Sequence, residues 1–442
     1  MELAKLNEIL RNKGVVGAGG AGFPSYAKLN KSADTIILNC AECEPLLKLH
    51  RQVMEKYAYQ IMTALEDVAE ALEVTNIIIA IKPSYEAAVE AIKSNISSFE
   101  HIKIGFLPEV YPAGDEVVTI YETTGRVVPP GSIPIAVGCV VYNVETMYNI
   151  YRAIHEDKPV THKFVTICGE VKKPVTVCVP LGITFDELVE LAGGKTIEDA
   201  AYINGGPMMG RLAKGSDVVT KTTSSVIVLP ENSYVIEHHR PNIKLQFNRA
   251  KAVCCDCHMC TDLCPRHLLG HPITPSAFMT AGVSLATGNI KPFLDTLYCC
   301  SCGVCEMYAC TQGLSPRTLI GEYKSGLRKN GVAMAGQVES APVLAQRPHR
   351  LLNKERLTAR LGLAKYDVPA PLTEVNLAVK AFKIMLGQHI GVPCIPSVAV
   401  GDKVEAGDVI AATPEKSLGV VLHAPVSGTI ETVADRFIII KI

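Results

Sequence analysis

Two cysteine runs constrain this chain more than anything else in it. Residues 253–265 read VCCDCHMCTDLCP and residues 298–310 read YCCSCGVCEMYAC, so ten of the 16 cysteines fall in two short stretches. Cys254, Cys257, Cys260 and Cys264 follow C-x2-C-x2-C-x3-C, and Pro265 comes next. That is a ligand spacing for cubane [4Fe–4S] clusters. Gaps of two residues let one loop wrap three corners of a cube. The fourth cysteine lies too far round and serves a neighbouring cube. The second run supplies Cys299, Cys302 and Cys305, then Cys310 after a gap of four, with Thr311 where proline would stand. The predicted ligand sets are therefore Cys254, Cys257, Cys260 and Cys310 for one cluster, and Cys299, Cys302, Cys305 and Cys264 for the other. The longer last gap leaves Cys310 the most open of the eight. Two C-x2-C pairs can also build a four-thiolate zinc site; the number of spaced ligands and the Cys-Pro ending favour iron–sulfur. Cys255 and Cys300 are spare and are expected to point away from the cubes. Residues 271–297 read as a helical connector, and His258, His267 and His271 as solvated or structural.

The rest of the chain excludes several classes. A length of 442 residues calls for three or four domains. A net charge of −1 offers nothing to nucleic acid, and no apolar run is long enough for a membrane span. Leu3, Leu6, Ile9 and Leu10 recur at helical spacing, which predicts a packed amphipathic helix rather than a signal peptide. Thiols in such a chain are expected to stay reduced.

Clusters carry single electrons, so a two-electron partner is needed. GVVGAGGAGFPSYAKL (14–29) crowds Gly14, Gly17, Gly19, Gly20 and Gly22 together. Such crowding lets backbone N–H groups approach a phosphate, although a plain turn has the same look and the order is not that of a dinucleotide-binding βαβ unit. Residues 33–54 follow as a buried strand and an acidic loop, and 111–154 bring a Gly-Asp-Glu segment and an Asn-Val-Glu-Thr segment. Together these resemble the flavin-binding subunit of respiratory complex I, whose corresponding segments surround FMN with NADH stacked beside it. The resemblance implies FMN-binding roles for Gly17, Gly19, Gly20, Gly22, Lys28, Asn39, Glu42, Asp115, Asn143 and Thr146, with Gly114 and Glu145 in the same segments. It implies that Glu44 and Glu116 lie at the nicotinamide end, with NADH as substrate. The chain departs from that pattern at Ala41, Cys43 and Tyr142. Cys40 and Cys43 form a C-x2-C of their own and read as two ordinary thiols.

Residues 163–194 and 202–230 alternate apolar and polar positions around one helix and resemble the soluble-ligand-binding β-grasp (SLBB) domain. Met208 and Met209 sit in its Gly-Gly-Pro-Met-Met-Gly turn and read as turn or core packing. Residues 344–363 look like a basic helical stretch with a solvated face, or else a partner contact, and 368–374 like a linker. The tail alternates between Gly-Asp and Ser-Gly turns and resembles a barrel-sandwich hybrid. Lys416 lacks the neighbours of a lipoylated lysine, so the tail reads as a docking module without covalent cofactor.

The fold class is thus multidomain α/β and α+β. The expected units are a complex I flavin-subunit-like domain (1–157), a β-grasp domain (160–232), a helical two-cluster ferredoxin-like domain (240–335), a basic helix and linker (344–374) and a barrel-sandwich hybrid (375–442). That combination resembles the RnfC family. Within it, a C-terminal sandwich module and a C-x4-C ending are similar to the cobalamin reductases of propanediol utilisation. The resemblance implies electrons passing from NADH through FMN and two [4Fe–4S] clusters to cob(III)alamin and cob(II)alamin. It also implies cobalamin or an adenosyltransferase, and microcompartment shell or cargo proteins, as partners, and a cytoplasmic, microcompartment location. Two other readings stand beside it: an RnfC-like subunit of a membrane NADH:ferredoxin complex, and a non-catalytic cargo protein.

Overall fold

The computed structural model describes residues 1–334, 338–375 and 377–442. Residue 335, the predicted end of the ferredoxin-like unit, and residue 376 in the sandwich lie outside the described residues. Isoleucine-rich runs build the first layer. Strands β1 (Thr35–Asn39) and β2 (Ile77–Ile81) are buried along their whole length, which is the pattern of parallel strands covered on both faces. With β3 (Ile102–Phe106) and β5 (Cys139–Asn143) they form a parallel sheet in the order β3-β2-β1-β5. The N-terminal helix Leu3–Asn12 buries Leu6 and Leu10 in the same core. The strand order reverses between β1 and β5, and the register sets Asn39 beside Asn143 at their carboxyl ends. Open α/β sheets bind ligands at such a reversal.

The β-grasp unit is a six-stranded sheet, β12-β7-β6-β10-β8-β9, in which β6 (His162–Gly169) runs antiparallel to β7 (Val175–Pro180) and parallel to β10 (Ser225–Pro230). β8 (Ala200–Asn204) and β9 (Arg211–Ala213) finish one edge. Its helix Phe185–Leu191 opens on a Thr184/Glu187 capping box, which satisfies two otherwise orphaned donors. The cysteine runs lie in a helical unit packed on Ala250, Phe278, Met279, Leu319 and Ile320, and the stretch 271–297 is largely helical as read. The tail forms two sheets. One is β13 (Ala381–Met385), β19 (Phe437–Lys441), β18 (Gly428–Val433) and β15 (Lys403–Val404); the other is β14 (Ile395–Pro396), β16 (Val409–Ala412) and β17 (Leu422–His423). Its apolar interior is continuous with that of the β-grasp unit. No helix among the described residues is long and apolar enough to cross a membrane.

The stretch 344–374 departs from expectation. Only Lys354–Arg360 is α-helical. β11 (Leu352–Asn353) pairs with β4 (Val110–Tyr111) of the first unit, and β12 (Leu372–Thr373) pairs with β7. Arg347 is buried against Glu122, Arg350 reaches Asp262 at 3.6 Å, and Lys354 donates to the Glu42 carbonyl at 3.2 Å. The segment is a strap across three units in which Arg347 is buried and Arg350 and Lys354 are half-buried against protein, while Arg356, Arg360 and Lys365 stay exposed on the expected solvated face. Their apolar neighbours are spaced too irregularly to betray this in sequence.

Candidate redox site

The two cysteine runs meet in two cavities, each lined from both. Cys254, Cys257, Cys260 and Cys310 line one of about 390 Å³. Cys264, Cys299, Cys302 and Cys305 line the other, of about 350 Å³. Among the described residues no three Cys, His, Asp or Glu side chains converge closely enough for a single ion. Each set of four thiols lines a space of the size a polynuclear cluster takes.

The extra residue in the second run has a visible home. Cys305–Ala309 is a single π-helical turn, where the first run has an ordinary helical turn, Met259–Asp262. A π-turn absorbs one inserted residue, so Cys310 still arrives at its cavity. The Leu314 N–H donates to Cys310 Sγ and the Ser301 N–H to Cys299 Sγ, both at 3.3 Å; hydrogen bonds of this kind tune cluster potentials. Of the two spare cysteines, Cys300 has its thiol beside Arg266 and Cys302. Cys255 is exposed, but both it and Cys300 line their cavities, and Cys300 lies against Arg266. The turn that follows Cys299 puts it there: Ser301 adopts a left-handed φ of 60°.

The cavities differ in their surroundings. The 350 Å³ cavity is wired into the first unit. Arg266, on its wall, pairs with Asp115 at 2.9 Å. Asp115 also accepts from the Val117 and Val118 amides and so caps the helix Glu116–Thr124. Tyr111 donates to the Cys302 carbonyl at 2.6 Å. Arg317 holds the Met208 carbonyl at 2.6 Å and the buried Glu306 at 3.2 Å. Met208 is buried beside Gly303 while Met209 is exposed. None of Arg266, Tyr111, Arg317 and Glu306 stands out in the sequence; the only signal is an arginine two residues after Cys264.

The glycine loop lies at the carboxyl ends of β1 and β5. The Ala18 amide donates to Thr146 Oγ1 at 3.0 Å. Lys28 reaches the Val141 carbonyl at 2.9 Å and Glu116 at 3.5 Å. A Cβ on Gly19 would lie 2.8 Å from Asn143 Nδ2, so that close approach requires glycine. The amides of Gly19, Gly20, Ala21 and Gly22 find no acceptor among the described residues. Nearby, His50 Nδ1 and Tyr142 Oη are buried without partners. An unsatisfied buried polar atom costs on the order of 1–3 kcal/mol. Unspent donors at a strand-order reversal fit an anionic cofactor phosphate.

Other predicted residues are engaged by protein. The Asn39 amide bridges the Gly114 carbonyl and the Ala41 N–H, so it shapes the 39–44 loop. Glu145 is buried in an ion pair with Lys163 of β6. Glu42 lies buried 3.6 Å from Arg51, its oxygens otherwise unpartnered. Glu44 and Glu116 have different partners. Glu44 accepts from the Met208 and Met209 amides at 2.8 and 3.0 Å, and burial pushes its carboxyl up to about 7. It clasps the β-grasp turn, whereas Glu116 stays half-open beside Lys28. Burial raises the Cys40 thiol well above its usual range and the Cys43 thiol to about 11, as ordinary thiols. His267 and His271 bond the Ile273 and Val128 carbonyls and are structural; His258 is exposed.

Family models match four separate stretches of the chain. Residues 10–152 match the Nuo51 FMN-binding domain, 164–212 the SLBB domain, 253–315 a 4Fe-4S dicluster domain and 369–441 the RnfC barrel sandwich hybrid domain. The chain is 39% identical to the cobalamin reductase PduS of Citrobacter freundii, over 98% of this chain and 95% of that one. It is likewise 39% identical to the PduS of Salmonella typhimurium, over 98% and 96%. A component of the Na+-translocating ferredoxin:NAD+ oxidoreductase complex of Acetobacterium woodii is 31% identical over 61% of this chain and 59% of that one. The cofactor set is FMN and [4Fe–4S] clusters, and the chain is an iron–sulfur flavoprotein oxidoreductase.

Proposed function

The chain belongs to the PduS cobalamin reductase family, and from that membership we propose that it reduces a corrinoid with electrons from NADH. FMN, when bound, supplies the exchange between hydride and single electrons, and the clusters supply the relay. The amides of Gly19–Gly22, with Lys28, Asn143 and Thr146, would hold the flavin. Glu116, beside Lys28 at the mouth, is the residue we assign to the nicotinamide; Glu44 acts as a positioning residue through the Met208–Met209 turn. Cys264, Cys299, Cys302 and Cys305 would ligate the inner cluster, and Cys254, Cys257, Cys260 and Cys310 the outer one.

The observation that carries the reading is the Asp115–Arg266 pair, which ties the helix beside the flavin loop to the wall of the inner cavity. At the outer cavity Cys255 and Cys257 are exposed. The route therefore has an entrance and an exit. We place the protein in the propanediol-utilisation microcompartment, with an adenosyltransferase or the free corrinoid at the exit.

Anaerobic stopped-flow absorbance tests this. The parent should bleach its flavin with NADH and then reduce cob(III)alamin. The Cys257→Ala protein should bleach equally fast and reduce cob(III)alamin at least about tenfold more slowly. Reduction at the parent rate would mean that electrons leave from the flavin. Transfer to a ferredoxin with none to the corrinoid would favour a membrane-complex subunit instead.

A further inference from the structure

The glycine loop is tied to its own unit through Ala18 and Thr146, and its two shoulders are held in addition by two other units. The near shoulder is Gly14. Its carbonyl accepts from Lys221 Nζ at 2.7 Å, and the same ammonium donates to the Val421 carbonyl at 3.2 Å. Lys221 lies in the β-grasp unit and is 1% exposed. Its backbone N–H donates to Gln388 Oε1 at 3.0 Å. The far shoulder is Gly22. Its carbonyl accepts from the Ile390 N–H at 3.1 Å, and a Cβ there would lie 2.9 Å from Thr222 and 3.1 Å from both Gln388 and His389. Two more contacts flank the loop: Val421 N–H to the Arg11 carbonyl at 3.3 Å, and Gly419 N–H to Tyr26 Oη at 3.4 Å.

The tip has none of this. Gly19 and Gly20 are exposed, and a Cβ on Gly20 would meet nothing within 4 Å. So residues 221–222, 388–390 and 419–421 grip the loop's ends and leave its exposed tip uncovered.

We propose that Lys221 and the C-terminal barrel-sandwich module form a clasp that presets the glycine loop for the flavin phosphate. Lys221 is a positioning residue in this scheme, and the sandwich serves its own chain where the sequence pointed to docking without saying on what. The chemistry supports a dedicated role. Lys221 sits between two carbonyls, with no carboxylate within salt-bridge reach among the described residues. Burial holds its ammonium down to about 7. A lysine buried without a counter-ion is costly, and here its two acceptors lie on different units. Preorganisation is where such a cost returns, because a loop already ordered loses less entropy when a ligand binds.

This rests on the flavin reading above, and the test separates the two. FMN would be titrated into flavin-depleted full-length protein by fluorescence quenching, with iron content and melting temperature measured on the same samples. Lys221→Met should weaken FMN binding at least about tenfold, the scale of one lost charge-assisted hydrogen bond, with iron content unchanged. Lys221→Gln, which keeps an N–H donor, should recover part of the loss. If the parent binds no FMN, the flavin reading falls. If the parent binds and Lys221→Met binds equally well, the clasp alone is overturned. Should Lys221→Met fail to fold, Tyr26→Phe removes only the Oη that Gly419 reaches. A fall of about two- to threefold in affinity would then support the clasp, and no change would overturn it.

Discussion

The two thiol-lined cavities share ligand types and nearly share spacing, yet they are different objects. The inner one is built into the core: Cys302 and Cys305 are buried, and Cys302 belongs to the same apolar cluster as Met208, Tyr111 and Leu352. The outer one is held by a small helical cluster and opens between exposed thiols. The contrast teaches that cysteine spacing sets which cluster type fits, while the residues around the cysteines set what each cluster can talk to. Arg266, Tyr111 and Arg317 connect only the inner cavity to its neighbours.

The sharpest way to break that contrast is to remove one ligand from each side. Cys302→Ala should abolish the inner cluster's EPR signal and also lower the melting temperature markedly. Cys257→Ala should abolish the outer signal and leave melting nearly unchanged. Equal losses of stability would show that the inner cavity is no more structural than the outer. A smaller effect follows from the link between flavin unit and inner cavity. Arg266→Met leaves Asp115 without its partner, at a cost of about 2 kcal/mol for a partly buried pair. Denaturant unfolding should report that loss, while flavin-to-cluster electron transfer slows with FMN still bound.

A pH test probes the same inner side. Glu44 titrates at about 7 in the folded protein and near 4.5 when unfolded. Between those values the folded state binds the extra proton, so stability should fall as pH rises towards 7 and level off above it. Glu44→Gln should flatten that slope in unfolding curves taken from pH 5.5 to 8. The smallest effects concern the spare thiols. Cys255→Ala should leave both EPR signals unchanged, whereas Cys300→Ala, beside Arg266, should shift only the inner signal's line shape.

Much of this is legible in the amino-acid sequence, for a physical reason. Ligand spacing is local, so the partition of eight cysteines into two crossed sets follows from loop reach. The glycine crowd and Asn39 with Asn143 sit at strand ends that hydrophobic runs announce. What stays hidden depends on contacts made far along the chain. Nothing in the Glu44 loop reveals that Met208 and Met209, more than 160 residues on, offer it two amides. Residues 344–374 look solvated because six Lys and Arg are spread through them; that Arg347 and Arg350 meet Glu122 and Asp262, and that the stretch pairs with β4 and β7, depends on distant segments. Lys221 is invisible in sequence, since a buried lysine is spelled like an exposed one.

The crossing of the two runs also bears on the order of manufacture. Cys264 leaves the ribosome with the first run but faces the second run's cavity, and Cys310 does the reverse. The inner cavity lacks its fourth thiol until residue 305 has been made, and the outer one until residue 310. A half-translated chain can therefore present loose thiols but no finished socket. Iron delivered during synthesis would find only partial sets, so both clusters should be loaded after translation passes those points, and close together in time.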